Sequence, residues 1–389
     1  MNTSSKPDRS ELPSIVHVAS FAPEYGGNFI ASIAELRRFC EGHGWSFALV
    51  LQEAARGMPW CHSLVEEGWR IHYLPSAALL WRKALILRGV IRRERSLIVH
   101  THFSDFDLPA WLAAHLANMR GGRTRVVWHV HSELSPSPSL FRRIKNFIKY
   151  WCLGRFAWII AIGDSVAKGV LAAGAPSARV FTVANGIDLS RATKAARVMT
   201  EVRSELGIDD SQRLILMFGH DPVNKGVDLA LEAMVEVVGE HPHTVLVIVG
   251  RENLRTYVDE KMGSPHPAWL RVMKPVENVA DLYLAAEAFL SASRSEGFCF
   301  SVAEAMANGL PVVLSDIPGV SWAHQASGAV FFESEDSTAL ASRICQVLDW
   351  SESEREVHSL ANTHLVRAEY NVEMWARRIM QCYTRILDS

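Results

Sequence analysis

The sequence predicts an α/β protein made of two Rossmann-like domains, each with its own parallel sheet. Apolar runs of strand length alternate with helical segments along the 389 residues, a pattern typical of doubly wound parallel sheets. The alternation stops in a polar, helix-prone stretch, 189–212, and then starts again. Because a chain of this length exceeds one ordinary hydrophobic core, we predict two domains, 14–190 and 191–370, after a disordered tail at 1–13.

Thirteen strands are predicted from apolar runs bounded by turn residues. The first domain has seven, at 14–21, 45–52, 69–75, 96–103, 124–132, 157–163 and 179–188. The second has six, at 213–219, 244–250, 270–276, 288–293, 311–315 and 328–332. A last helix within 371–389 carries one apolar stripe at helical spacing, which includes Trp375 and Tyr383. We expect this helix to cross back and pack on the first domain.

Composition and charge exclude several classes of protein. No apolar run reaches the ~18–20 residues that a membrane-spanning helix needs, and the N-terminus lacks the apolar core of a secretory signal. The six cysteines are scattered, as expected of reduced thiols in a cytoplasmic protein. Residues 1–188 hold 22 Lys and Arg against 14 Asp and Glu, a charge of +8, whereas the remainder has 18 against 28. The basic first half is therefore the half expected to meet anionic surfaces.

The segment 293–315 carries the strongest functional pattern. Glu296 closes a short polar loop, Glu304 lies one turn inside the following helix, and an apolar strand comes next. A helix that begins near Ser301 directs free backbone N–H groups at the loop, which makes an anion site. A carboxylate on either side of that site can accept hydroxyl protons from a sugar and a ribose. The pattern predicts a nucleotide-sugar site.

Other candidate residues follow predicted strands, where ligands bind in open α/β sheets. Gly26 and Gly27 follow the first strand and precede a helix, so the backbone there can approach a ligand closely. His131 follows a strand and can bond a substrate hydroxyl. His102 is a weaker candidate of the same kind, and His129 is predicted to face away from His131 and to be structural. In FGHDPVNKG (218–226), Lys225 lies at a helix start and can neutralise a diphosphate.

We predict no metal or other cofactor. The fingerprint G-x-G-x-x-G is absent from the chain, which disfavours an NAD enzyme. Asp105 and Asp107 form a D-x-D pattern, in which two carboxylates can hold a divalent metal, but they lie far from the acidic loop, and we interpret them as surface residues. No His/Cys group has metal-ligand spacing.

Two basic, apolar segments stand out, 79–97 and 140–156. The second places Ile144, Ile148 and Trp151 on one face with Lys145 and Lys149 beside it. Such helices bind anionic lipid headgroups in some proteins and face a hydrophobic core with a solvated basic back in others, and both alternatives stay open. No nucleic-acid module is visible, so nucleic acid is not an expected partner.

The segment EGFCFSVAEAMANGLPVV (296–313) resembles the signature of the retaining family-4 glycosyltransferases of the GT-B fold. The segments IVHTH (98–102), ANGID (184–188) and the Trp375 helix also occur in the order typical of that family. The resemblance implies that two Rossmann-like domains face each other across a cleft, with the acceptor bound by the first and a UDP- or GDP-sugar bound by the second.

The resemblance also implies roles for individual residues. Glu296 would hold hydroxyls of the donor sugar, Glu304 the ribose, and Lys225 the diphosphate. His131 would lie over the donor sugar, and Gly27 near the diphosphate, with Gly26 and His102 on the acceptor side. Backbone N–H groups that contact sugar and diphosphate would come from a run in the acidic loop: Phe298, Cys299, Phe300 and Ser301.

Two departures from the family pattern concern the donor. The family has Gly-Arg where this chain has Gly219 and His220, and that Arg clamps the diphosphate; Arg251 and Arg294 are candidate substitutes. The family also has Gly where this chain has Cys299, so the loop is narrower.

From the sequence we expect a metal-independent hexosyltransferase of glycan, polysaccharide or glycoconjugate biosynthesis. Its acceptor would be a lipid-linked glycan at the inner face of the membrane if the basic helices bind lipid, and a small molecule otherwise. A sugar-nucleotide epimerase and a non-catalytic binding subunit are the alternatives.

Overall fold

A computed structural model of the chain describes residues 13–134, 140–276 and 278–389, and for 140–143 it describes the backbone alone. Almost all of the predicted tail therefore lies outside the described residues. The chain divides into two compact units, which we treat separately. The first unit runs to Asn185 and resumes at Val372, and the second contains Gly186–Asn371.

The division falls a few residues from the predicted boundary at 190/191. Ile187 forms a β-bridge with Asn371, and its backbone N–H donates to the carbonyl of Tyr370 at 2.8 Å. Because these bonds tie 186–188 to the end of the second unit, the short segment before the predicted boundary belongs there.

Among its described residues, the first unit up to Asn185 has seven parallel strands and six α-helices. The strands are β1 Ser14–Ala19, β2 Ser46–Gln52, β3 Ile71–Leu74, β4 Ile98–His102, β5 Arg125–Val130, β6 Trp158–Ala161 and β7 Val180–Thr182. The helices are α1 Gly27–Gly42, α2 Pro59–Glu66, α3 Leu80–Arg93, α4 Asp107–Asn118, α5 Leu140–Phe147 and α6 Asp164–Ala172. The strand order is β3-β2-β1-β4-β5-β6-β7, so the direction of winding reverses between β1 and β4.

The described part of the second unit has eight α-helices and a six-stranded parallel sheet. The helices are α7 Leu189–Thr193, α8 Met199–Glu205, α9 Val227–Glu240, α10 Glu252–Met262, α11 Val279–Ala285, α12 Phe300–Ala307, α13 Ser337–Leu348 and α14 Glu352–Glu369. The strands are β8 Arg213–Phe218, β9 Thr244–Val249, β10 Leu270–Met273, β11 Ala288–Ser291, β12 Val312–Ser315 and β13 Ala329–Phe332. In the order β10-β9-β8-β11-β12-β13, the reversal lies between β8 and β11.

The last helix, α15 Val372–Leu387, belongs to the first unit and packs on α1. Its buried stripe joins the core formed by β1, β2 and α1, as the sequence predicts. The buried residues are Trp375, Ala376, Ile379, Met380, Cys382, Tyr383 and Ile386. All thirteen predicted strands are present. Within the described residues, no helix combines the length and the apolarity needed to span a bilayer.

Candidate functional site

In the second unit, the loops after β8 and β11 meet where the winding of the sheet reverses. Ligands of doubly wound sheets bind at such a reversal, beyond the carboxyl ends of the strands. The first loop ends in Lys225 and the second contains Glu296. The Lys225 Nζ donates to Glu296 Oε1 at 2.5 Å, and Ser293 Oγ donates to the same oxygen at 2.9 Å. The fold thus joins two residues that sequence analysis selected independently.

The ion pair between Lys225 and Glu296 is largely buried, so water screens its charges only weakly. The Lys225 side chain is 10% exposed and that of Glu296 is 14% exposed. Burial alone lowers the pKa of Lys225, but the adjacent Glu296 carboxylate and other nearby acidic groups outweigh burial, and the net pKa lies above the usual value. The ammonium therefore stays charged at neutral pH, and the pair offers a fixed cation beside a carboxylate.

Two glycines that sequence analysis did not select hold these loops in place. Gly226 has φ +66°, and a Cβ built on it would lie 2.1 Å from the carbonyl oxygen of Ala292. A Cβ on Gly319 would lie 2.1 Å from the carbonyl oxygen of Glu296. Any side chain at either position would push apart the backbone segments that carry Lys225 and Glu296. The only sequence signal was the position of Gly226 at a helix start.

The acidic loop continues into α12, which begins at Phe300, close to the predicted start. The Cys299 residue precedes the helix and is buried, with its Sγ 3.3 Å from Ser301 Oγ. Burial raises the pKa of the Cys299 thiol, so the thiol is uncharged at neutral pH. The Phe298 ring is buried against Trp322, with ring centroids 5.2 Å apart. The helix N-terminus adds partial positive charge beside Lys225.

Glu304 is buried on α12 and held on both carboxylate oxygens. Its Oε1 accepts from Arg191 at 2.5 Å and its Oε2 accepts from the Tyr283 hydroxyl at 3.0 Å. Burial and the adjacent Glu304 raise the pKa of Tyr283 well above its usual value, so the phenol remains a donor. Arg191 and Tyr283 carry no motif that sequence analysis could have read, since their role depends on contacts with a distant helix.

The structure separates the candidate substitutes for the missing family arginine. Gly219 is buried after β8, packed closely against Val227 and Ile248. For the exposed His220, partial desolvation and the charge of Lys225 lower the pKa, so this side chain is neutral at pH 7. Arg294 donates to Asp228 and Glu335 and is committed to them. Arg251 contributes positive potential at His220 and forms no ion pair with any described residue.

In the first unit, His131 follows β5 and belongs to a group of five imidazoles. We call this group the imidazole cluster; its members, from β1, β4 and β5 and their ends, are His17, His100, His102, His129 and His131. His102 bonds His131 directly, with 3.1 Å between Nδ1 and Nε2. The prediction that His129 faces away from His131 is wrong, because residues two apart on a strand share a face. Their rings stack with centroids 4.3 Å apart.

The imidazole cluster brings possible metal-ligand atoms together from separate strands, which the spacing of histidines in the sequence could not reveal. Nitrogen atoms of His102, His129 and His131 lie within 4.8 Å of one another, as do those of His17, His100 and His102. An imidazole binds a metal through a lone pair in the plane of its ring, and a stacked pair directs its lone pairs along parallel planes. This geometry suits hydrogen bonding between rings better than a shared metal ion.

A cavity of about 740 Å³ opens beside His131. His129, Asp107, Lys149 and Tyr150 are among its lining residues. The Lys149 Nζ donates to Asp107 Oδ2 at 2.5 Å, and both side chains are largely buried. Lys149 was predicted beside a face that could meet lipid; it instead neutralises Asp107 inside the cavity wall.

The D-x-D carboxylates have protein partners. Asp107 also accepts from Thr101, and Asp105 Oδ2 accepts from Ser20 Oγ at 2.7 Å. Asp105 is exposed, as predicted, but the interpretation of Asp107 as a surface residue is wrong, because its carboxylate is buried and bound by Lys149 and Thr101. Gly26 forms the N-cap of α1 and Gly27 its first residue, with open space beside Gly27.

Two family models match the chain in succession. The Glycosyltransferase Family 4 model matches residues 31–191, and the model described as Glycosyl transferases group 1 matches residues 198–381. The first match falls mostly on the first unit and the second mostly on the second unit.

Curated relatives are similar over parts of the chain. Spore coat protein SA of Bacillus subtilis is 27% identical, over 52% of this chain and 58% of that protein. The N-acetyl-alpha-D-glucosaminyl L-malate synthase of Bacillus anthracis is 25% identical, over 69% of each. The GDP-mannose:cellobiosyl-diphosphopolyprenol alpha-mannosyltransferase of Xanthomonas campestris is 33% identical, over 40% of this chain and 38% of that protein. The chain thus matches between about two fifths and two thirds of these relatives' lengths.

Solved structures share the fold along nearly the whole chain. A glycosyltransferase from Rickettsia africae superposes with a TM-score of 0.81 at 16% identity, covering 97% of this chain and 99% of that one. Anabaena HepE, solved with UDP and glucose, has a TM-score of 0.77 at 15% identity, covering 96% and 100%. At these identities the likeness establishes the α/β architecture of two parallel sheets.

Proposed function

The chain belongs to the family-4, group 1 glycosyltransferases with the GT-B fold, and from this premise we propose that it transfers a hexose from a nucleotide diphosphate sugar to a hydroxyl acceptor. The observation that carries the proposal is the buried Lys225–Glu296 pair at the reversal point of the second sheet. A fixed cation beside a carboxylate matches a ligand in which a diphosphate adjoins a polyol. We assign the donor to the second unit and the acceptor to the first.

Each donor group has a matching side chain in the second unit. Lys225 and the first turn of α12 would bind the diphosphate, and Glu296 would accept hydrogen bonds from sugar hydroxyls. Glu304, which Arg191 and Tyr283 hold in position, would accept hydrogen bonds from the ribose. HepE, solved with UDP and glucose, supports this class of donor.

Arg251 would complete the diphosphate clamp in place of the family's arginine. His220 is neutral at pH 7 and Arg294 is held by two carboxylates. Arg251 is the remaining candidate cation, and its charge reaches His220. A guanidinium there can bind phosphate oxygens in a bidentate manner.

Retention of the sugar's configuration fits a mechanism without an enzymic nucleophile. The bond from the anomeric carbon to the diphosphate oxygen breaks, and the acceptor oxygen bonds to that carbon on the same face. The acceptor proton passes to the departing diphosphate oxygen. Lys225 stabilises the charge on the diphosphate as it forms, so that no metal ion is required. Glu296 is bound by Lys225 and Ser293 and is suited to hold hydroxyls rather than to attack carbon.

The acceptor is proposed to be a lipid-linked glycan whose polar end enters the cavity beside His131. Exposed apolar side chains lie on segments that line this cavity, namely the start of α3, α5 and the turn after it. They are Leu79, Leu80, Trp81, Ile144, Phe147, Ile148 and Trp151. Lys83 and Lys145 line the same cavity, so the rim combines apolar and basic groups, as an anionic membrane surface requires. The relative that acts on a diphosphopolyprenol supports this class.

Donor binding is tested by thermal shift and calorimetry of the full chain with UDP-, GDP- and ADP-sugars, with and without EDTA. We expect stabilisation by one donor, unaffected by EDTA and lost in Glu304→Ala. The anomeric configuration of the product, read by NMR, tests retention. Isomerisation without transfer would indicate an epimerase, and failure of all donors to bind would indicate a binding subunit.

Membrane contact is tested by sedimentation with vesicles of neutral lipid and of neutral lipid with anionic phosphatidylglycerol. We expect binding to the anionic vesicles alone, weakened by salt and by Trp81→Ser. Met119→Ser is the matched control, because Met119 is an exposed apolar residue of the same unit outside the rim. Equal loss in both variants, or no binding to any vesicle, would contradict the proposed rim.

A further inference from the structure

A continuous chain of hydrogen bonds connects His131 to the interior of the first unit. His131 Nε2 lies 3.1 Å from His102 Nδ1, and His102 Nε2 lies 2.9 Å from His17 Nδ1. His17 Nε2 lies 2.8 Å from the Tyr383 hydroxyl, which lies 2.6 Å from His100 Nδ1. The last helix of the chain thus supplies the hydroxyl that joins β1 to β4.

The ring positions agree with true hydrogen bonds along this chain. The centroids of His17 and His102 are 5.1 Å apart, with an angle of 22° between the planes. Those of His102 and His131 are 5.3 Å apart, at 36°. At these distances the rings meet edge to edge, so that the N–H of one points to the lone pair of the next. By contrast, the rings of His100 and His102 lie closer, at 4.4 Å, and stack.

All the imidazoles in this chain of hydrogen bonds are neutral at pH 7. Burial lowers the pKa of His17 to about 3 and that of His131 to about 4. Burial, reinforced by the neighbouring imidazoles, also holds the pKa values of His100 and His102 well below the usual value. A neutral imidazole has one donor nitrogen and one acceptor nitrogen. The Tyr383 hydroxyl has one proton, and accepting from both of its imidazole neighbours would leave that buried O–H without a partner. Two orientations of the whole series of hydrogen bonds therefore remain, and both ends must agree.

The buried end selects between the two orientations. His100 Nε2 is buried and has no hydrogen-bond partner among the described residues. If His131 donated into the chain, His100 would carry its proton on that nitrogen, which would leave a buried N–H unpaired. In the other orientation the same nitrogen is an unpaired acceptor, which proteins tolerate better than an unpaired N–H. His131 then accepts at Nε2 and carries its proton on Nδ1.

We propose that Tyr383, His17 and His102 are positioning residues that lock His131 with its proton on Nδ1, so that His131 offers its ligand a hydrogen-bond donor and no base. No described residue bonds this nitrogen, and His131 lines the cavity. The identity of the ligand, a sugar or acceptor oxygen, rests on the proposed function; the tautomer does not. A donor at this place suits a reaction in which the departing diphosphate takes the acceptor proton.

The tautomer is tested by NMR of the full chain labelled with ¹⁵N-histidine, since the two ring nitrogens differ in shift when one carries the proton. The His131 signals are identified by their absence in His131→Gln. We expect His131 to be protonated on Nδ1 in the wild type. Tyr383→Phe keeps the ring and removes one link, and we expect it to give averaged shifts from two tautomers. Protonation on Nε2 in the wild type, or an unchanged tautomer in Tyr383→Phe, would overturn the proposal.

Tyr73→Phe is the matched control, because it removes a hydroxyl of the same unit that bonds Cys61 and lies outside the cluster. Should Tyr383→Phe fold poorly, His17→Gln breaks the same chain and serves as the second variant. In transfer assays we expect kcat to fall about tenfold in Tyr383→Phe with KM unchanged, and Tyr73→Phe to match the wild type. A tautomer of His131 that shifts in Tyr383→Phe, in a protein that transfers no sugar, would support the chain of hydrogen bonds and reject the proposed function. If the wild type is active and kcat is unchanged in Tyr383→Phe, the chain of hydrogen bonds has a structural role only, and its proposed role in transfer is overturned.

Discussion

The two sheets of this protein carry different kinds of polar group at the points where their winding reverses. The second unit joins charged groups, with Lys225 against Glu296 and Arg191 against Glu304. The first unit gathers five imidazoles that burial keeps neutral. Fixed charges suit a ligand that is itself charged, whereas neutral donors and acceptors orient hydroxyls without competing for protons. The same sheet topology thus supports two kinds of recognition, and the loops and strand ends determine which.

The largest expected effect is on stability, from breaking the buried ion pair. Glu296→Gln leaves the ammonium of Lys225 without its counter-charge, and we expect the free energy of unfolding to fall by about 3–5 kcal/mol. The double variant Lys225→Met/Glu296→Gln should lose much less than the sum of the single variants, because no unpaired charge remains. Urea denaturation of the four proteins measures this coupling. Additive losses would show that the two side chains do not act as a pair.

The next effect is on catalysis. Lys225→Met removes the cation proposed for the departing diphosphate, and we expect kcat/KM to fall by about 10²–10³-fold. Lys274→Met is the control, since Lys274 is an exposed lysine of the same unit. Steady-state transfer assays compare both with the wild type. Equal activity in the Lys225 variant and the control would remove Lys225 from the site.

Acid should affect the first unit more than the second. A histidine whose pKa is lowered by folding contributes stability above its unfolded pKa, near 6.5, and that stability is lost as pH falls toward the folded pKa. For His17, with a folded pKa of about 3, the loss between pH 7 and 5 is roughly 2 kcal/mol. Hydrogen exchange resolved by peptide should show protection in the first unit declining over this interval.

His129→Leu sharpens that comparison. Both ring nitrogens of His129 are buried without partners among the described residues, so we expect the variant to keep its stability at pH 7 and to lose less in acid. Equal acid sensitivity of the two units, or a steeper loss in His129→Leu, would contradict a neutral imidazole cluster.

The smallest effect concerns the diphosphate clamp. Arg251→Gln should raise the KM for the donor by about 3- to 10-fold with little change in kcat, as expected for one charge-assisted bond. Arg255→Gln is the control, because Arg255 lies in α10, the helix that Arg251 directly precedes. A donor titration that gives the same KM for both variants would leave the replacement of the family's arginine unassigned.

The sequence identified the parts of the charged site but not their contacts. Lys225 and Glu296 are recognisable because each follows an apolar strand within a short polar loop. Arg191 and Tyr283, the partners of Glu304, were missed, as was Gly319, since these residues act through positions far along the chain or through backbone contact. Ser293, the hydroxyl partner of Glu296, was missed as well. The same limitation applies to Lys149. It pairs with Asp107, 42 positions away, and no helical pattern predicts that contact.

By itself, the sequence determined the α/β class, all thirteen strands, the last helix and its apolar stripe, because hydrophobic periodicity and turn residues are local signals. The tertiary structure alone decided which side chains share a neighbourhood. Four histidines, from β1, β4 and the end of β5, and a tyrosine from the last helix become one hydrogen-bonded group because neighbouring parallel strands place these residues together. Such a group has no spacing to read, since its members are joined by strand pairing and packing between segments up to 366 positions apart.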